Sequence, residues 1–137
     1  MLATKLLGAL DGARPLLIVH GLFGSGRNWG VIARNLSRTR PVLTVDMRNH
    51  GDSPRTETHT YADMAADLAE VVAAHGGRAD VVGHSMGGKA AMVLALIHPQ
   101  MVARLIVADI APVAYTHSQM KYLDAMRALD LAGVETR

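Results

Sequence analysis

Short unbroken apolar runs alternate along this chain with segments whose apolar residues recur every three or four positions. Residues 15–19 (Pro15, Leu16, Leu17, Ile18, Val19) are such a run, ended by His20 and Gly21, and predict a buried strand. Residues 28–38 carry Trp29, Ile32, Ala33 and Leu36 at helical spacing. Residues 41–45 predict a second strand, ended by Asp46, and the Gly-, Pro-, Asn- and Thr-rich stretch 47–59 predicts a loop. Thr60, with Asp63 three residues on, reads as a capping pair for a helix. Met64, Leu68, Val71 and Val72 form one face of that helix, and His75, Gly76 and Gly77 end it. Residues 79–83 predict a third strand, residues 86–98 a helix stopped by Pro99, and residues 105–108 a fourth strand ended by Asp109. Residues 122–131 predict a last, amphipathic helix, and the segment before Pro15 one more edge strand.

Strands that are apolar throughout are buried on both faces, as in a parallel sheet. Alternation of such strands with helices points to the α/β class, a mostly parallel sheet covered by helices on both faces. No linker, repeat or second domain interrupts residues 1–137, which read as part of one domain.

Composition narrows the function classes. Half of the residues are apolar, enough for a real core, and only 19% are charged. The net charge is +2, and Arg34, Arg38, Arg40, Arg48 and Arg55 are scattered, so no clustered basic face for nucleic acid is expected. The absence of cysteine excludes disulfides, thiolate catalysis and Cys-based zinc sites. Asp11 and Gly12 interrupt the N-terminal apolar residues before a signal-like stretch forms. The longest apolar run, residues 90–97, is far short of the ~20 residues that cross a bilayer. A soluble cytoplasmic protein without a membrane span is the expectation.

The strongest chemical signal is Gly83-His84-Ser85-Met86-Gly87, which fits G-x-S-x-G between a predicted strand and a predicted helix. A serine on such a bend is lifted clear of the sheet, and small neighbours two residues away let strand and helix pass closely. The serine also sits at a helix N-terminus, where the Met86 N–H and the helix dipole favour negative charge. The plainer reading is a glycine-rich turn that merely packs tightly. A competing one is a P-loop, because residues 83–89 also satisfy G-x-x-x-x-G-K. That motif needs Ser or Thr next, to bind magnesium, and Ala90 stands there. Lys89 then reads as a polar residue on the first helical turn.

The second signal is His20-Gly21-Leu22-Phe23-Gly24 at the carboxyl end of the first clear strand. In a parallel sheet such loops share one face, so the Leu22 N–H can serve the same anion as that of Met86. The plainer reading is a simple glycine turn. A dinucleotide fingerprint fails, because Gly30 follows Gly24 and Gly26 one residue too late.

With Asp46-Met-Arg-Asn-His-Gly-Asp-Ser53 and Asp109-Ile-Ala-Pro112, these segments resemble the α/β-hydrolase superfamily, more narrowly the YbfF-type esterases, from about residue 15 to 115. The resemblance implies acyl transfer to water from a carboxylic ester or thioester, with no cofactor. Ser85 would be the nucleophile, the N–H groups of Leu22 and Met86 the oxyanion hole, and a histidine oriented by a carboxylate the base. Asp109 is the candidate acid, the alternative being that it only caps a loop. Asp46 would be structural.

Chain order in this fold is serine, acid, histidine. His117 is a poor base, in a segment where a helical cap would start at about residue 113. His84 should point away from the serine, and His20 and His50 read as structural. The chain therefore reads as the N-terminal part of a hydrolase domain, lacking about a hundred further residues. A catalytically incomplete, hydrolase-like binding protein is the alternative. Phe23, Trp29 and Met86 near the mouth point to an apolar acyl group. Nothing in the sequence speaks to oligomeric state.

Overall fold

The computed structural model describes residues 1–115 and 120–130. Five strands form one sheet: β1 (Thr4–Leu7), β2 (Leu16–Val19), β3 (Val42–Val45), β4 (Ala79–His84) and β5 (Val102–Ala108). Their order is β1-β3-β2-β4-β5, with β1 antiparallel to β3 and every other pair parallel. Among the described residues four α-helices accompany them: α1 (Gly30–Leu36), α2 (Tyr61–Ala74), α3 (Met86–Ile97) and α4 (Met120–Arg127). This is the α/β architecture that the apolar runs predict, and the edge strand before Pro15 is present.

The period of two along β2 divides the core. Leu17 and Val19 face Met64, Leu68 and Val71 of α2 and Ala90, Ala91 and Leu94 of α3. Leu16 and Ile18 face the other way, onto Ala33 of α1 and Trp29. Both faces of the central strands are thus covered. The capping pair forms at α2: the Asp63 N–H donates to Thr60 Oγ1, and the Thr60 N–H donates to Asp63 Oδ2, both at 3.1 Å.

Three elements depart from the predicted bounds by more than one residue. The first helix opens as a single 3-10 turn, Gly26–Trp29, because the Asn28 side chain takes the Ser25 N–H at 2.7 Å and tightens the entry. Strand β5 begins at Val102 rather than 105, since the short turn Pro99–Met101 feeds straight into it and Arg104 breaks the apolar run. Helix α4 begins at Met120 and ends at Arg127; residue 131, predicted to close it, lies outside the described residues.

Register brings the functional loops to one level. Val19 pairs with both Val45 and Gly83, and His84 pairs with Ala108. The loops after β2, β3, β4 and β5 therefore leave the sheet side by side. At the opposite end, Asp80 is held by Arg40 at 2.7 Å and Arg14 at 3.0 Å. Burial pushes the Asp80 carboxyl up, but the Arg40 hydrogen bond and the neighbouring guanidinium charges outweigh it and hold the group below its usual range. No helix among the described residues is long and apolar enough to cross a membrane.

Candidate active site

Ser85 stands between β4 and α3 with φ 50° and ψ −117°, a left-handed conformation that costs a non-glycine residue about 1–3 kcal/mol. Its N–H donates to the Ala108 carbonyl at 3.0 Å, and its carbonyl accepts the Lys89 N–H at 3.1 Å, opening the helix. The bend exists because its neighbours have no side chain. A Cβ on Gly83 would lie 2.7 Å from the Gly88 Cα, and one on Gly87 would lie 2.7 Å from the Val19 carbonyl oxygen. Strand, helix and the exit of β2 touch backbone to backbone there.

The facing loop, residues 20–24, is built with equal care. It folds on a Gly24 N–H to Gly21 carbonyl bond of 3.0 Å, with Phe23 at φ 62°. A Cβ on Gly21 would lie 3.3 Å from that of Ser85, so the loop presses directly on the bend. Buried His20 spans two segments: its Nε2 accepts the Met47 N–H at 2.9 Å and its Nδ1 donates to the Gly21 carbonyl at 2.7 Å. His50 does likewise, accepting the Phe23 N–H on Nε2 at 3.2 Å while Nδ1 donates to the Arg48 carbonyl at 2.9 Å. Asp46 takes the N–H groups of Gly26 at 2.7 Å and Asp52 at 2.8 Å. Arg48 ties the same loop to α2 through two bonds to Asp67, at 2.6 and 2.8 Å. The segment from Asp46 to Ser53 is thus the scaffold on which the Leu22 loop is hung.

Burial lowers the His20 pKa below its ordinary 6.5, outweighing the bond to Gly21 that raises it. His59 is lowered too, chiefly by burial and then by His50. Both protonate more readily in the unfolded chain. Their contribution to stability is therefore full above 6.5 and is lost as the pH falls through the window below it. Urea unfolding at pH 7.5 and 5.5 should show lower stability at the acid value. His20→Gln, which can still donate and accept, should shrink the difference.

Three of the residues singled out in the sequence meet here: Leu22, Ser85 and Met86 line one cavity of about 420 Å³. Among the described residues the backbone N–H groups of Leu22 and Met86 have no hydrogen-bond partner. Met86 lines this cavity while most of its side chain, 7% exposed, packs into the core. Phe23 and Trp29 do line a neighbouring cavity of about 460 Å³, with Ile32 and His84.

Asp109 ends β5 with φ 58° and an exposed side chain. Its Oδ2 lies 3.7 Å from His84 Nε2, and the His84 ring also meets Trp29 edge-on at 6.2 Å between centroids. These two contacts are to Asp109 and Trp29, and neither is to the serine hydroxyl. Among the described residues no histidine is hydrogen-bonded to Ser85, and His117 lies outside them.

Lys89 does more than stand as a polar residue on the first helical turn. Its Nζ donates to the Val113 carbonyl at 2.7 Å and lies 4.7 Å from the Tyr115 ring centroid. That contact, and the scaffolding roles of His20 and His50, join residues too far apart in the chain for any spacing rule to reveal.

The chain matches the alpha/beta hydrolase fold family over residues 14–132. It is 42% identical over 125 residues to the esterase YbfF of Escherichia coli K12, covering 90% of this chain and 49% of that protein. It is 45% identical over 122 residues to the sn-1-specific diacylglycerol lipase ABHD11 of Danio rerio, covering 85% of this chain and 38% of the relative. Among solved structures, a marine microorganism esterase superposes with a TM-score of 0.89 at 39% identity, over 98% of this chain and 54% of the other. The chain spans about half or less of the length of these relatives. With fold, motif order and sequence in agreement, the chain belongs to the α/β hydrolase fold family.

Proposed function

We propose that the protein is a serine hydrolase of carboxylic esters or thioesters that works through an acyl-enzyme on Ser85. The observation that carries this reading is the left-handed serine at the bend, in one cavity with two residues whose N–H groups have no partner among the described residues. Ser85 Oγ attacks the carbonyl carbon, and the oxygen that gains charge is received by the N–H groups of Leu22 and Met86. Each such donor typically contributes about 3–4 kcal/mol of transition-state stabilisation. They serve the developing anion because both are backbone groups, fixed before substrate arrives.

The serine proton passes to a histidine base and from it to the leaving alcohol or thiol; water then repeats the sequence on the acyl-enzyme. By the chain order of this fold the base follows the acid, and Asp109, at the end of β5, is the acid of this reading. Helix α4 belongs in this reading to the start of a cap: Tyr122 and Met126 line a second cavity at Ser85, with Leu22 and Phe23. Those side chains, with Trp29 and Ile32, favour an apolar acyl group.

A second reading, a ligand-binding protein that does not turn over, draws on the lack of a histidine on Ser85 among the described residues. Fluorophosphonate labelling separates them. The probe should modify the wild-type protein covalently and leave Ser85→Ala untouched. Labelling that survives the substitution would remove Ser85 from the mechanism, and no labelling at all would favour the binding protein.

A further inference from the structure

One charge near Ser85 has no place in the chemistry above. Lys89 lies one helical turn beyond the serine, on the same side of α3. Its side chain lines the cavity that holds Leu22, Ser85 and Met86. Nζ uses one proton on the Val113 carbonyl, and an ammonium has three. Among the described residues no carboxylate lies within ion-pair distance of it. Asp109, which follows β5, lies 3.7 Å from His84 instead.

The walls beside Lys89 keep that charge oriented. Nζ lies 5.9 Å from the Tyr61 ring centroid and 4.7 Å from that of Tyr115, both in cation–π range. His59 lines the same cavity. Asn49 Nδ2 donates to His59 Nδ1 at 3.3 Å, which leaves Nε2 as the protonated nitrogen, a neutral donor. The cavity thus offers one positive charge and a few directed N–H groups. That matches a monoanionic carboxylate better than a doubly charged phosphate. The neighbouring cavity, with Phe23, Trp29 and Ile32, carries no Lys or Arg.

We propose that the Lys89 cavity is a subsite for a carboxylate carried by the substrate, so that the preferred ester is a half-ester of a dicarboxylic acid or an ester with an acidic alcohol. Lys89 is then a specificity-determining residue, with His59 as a second donor. The inference rests on Ser85 being the nucleophile, and its test must separate the two.

Alkylboronic acids bond reversibly to a nucleophilic serine oxygen, so their affinity reads the site without turnover. Wild-type protein should be titrated with an alkylboronic acid and with its ω-carboxy counterpart, over several chain lengths. At the best length the carboxylate should bind about tenfold more tightly, as a charge-assisted hydrogen bond warrants. The ratio should fall to about one in Lys89→Met and be restored in Lys89→Arg, which keeps the charge. Equal affinities in the wild type, or equal weakening of both ligands by Lys89→Met, would overturn the subsite and leave Lys89 as a tether for Val113. Failure of both boronates to bind would remove the nucleophile reading and the subsite with it.

Discussion

Gly87→Ala is expected to destabilise the protein by about 3 kcal/mol, as overpacking against a rigid backbone does, and to abolish fluorophosphonate labelling of Ser85. Gly87 lies inside α3, so its backbone is helical and any residue can adopt it. On propensity alone, alanine would improve the helix by about 1 kcal/mol. The loss comes entirely from contact. The new methyl would meet the carbonyl oxygens of His20 and Val19 and, at 2.8 Å, Val19 Cγ1. Two of these three atoms are main chain at the exit of a central strand and cannot swing aside. Helix α3 must therefore retreat from β2, carrying Ser85 and the Met86 N–H away from Leu22. Gly30→Ala is the control, since a Cβ there would meet only Arg34 Nη1 at 3.5 Å. Denaturant unfolding of the two variants should give opposite signs.

Ser85→Gly should abolish labelling while making the protein more stable by about 1 kcal/mol, a typical size for relief of left-handed strain less the added freedom of an unfolded glycine. At φ 50° and ψ −117° the residue occupies a region open to glycine and unfavourable to serine. The Ser85 backbone bonds to Ala108 and Lys89 do not involve its side chain, so the substitution keeps them. A stability gain paired with loss of the reactive hydroxyl would mark the bend as strain retained for chemistry. A loss of stability would mean that the serine side chain holds the turn together.

The scaffold was readable wherever burial is two-sided. A continuous apolar run identified β2, a central strand buried on both faces, and short, mainly apolar segments identified β3 and β4 in spite of Thr44 and Asp80. At the sheet edge the rule weakens: β5 holds Arg104 within it and leaves Ile106 60% exposed, so its first three residues escaped notice. Ser85, Leu22 and Met86 could be named from sequence because a sharp bend leaves a local signature in glycines. The support behind them could not. His20 with Met47, and His50 with Phe23, each join positions 27 residues apart, and nothing in local spacing encodes such a bond. Met86 both lines the cavity and packs into the core, and only the first of these is legible from its place beside the serine. Lys89 reads in sequence only as a polar residue of the first helical turn because its neighbours, Tyr61 and Tyr115, come from a different helix and from the segment after β5.

The account stands most directly on where charge goes once Ser85 has reacted. A crystal structure of the protein after reaction with a fluorophosphonate should show phosphorus bonded to Ser85 Oγ. Its phosphoryl oxygen should lie within hydrogen-bonding distance of the N–H groups of both Leu22 and Met86. An adduct on another residue, or a phosphoryl oxygen turned to solvent with those two donors left empty, would contradict it.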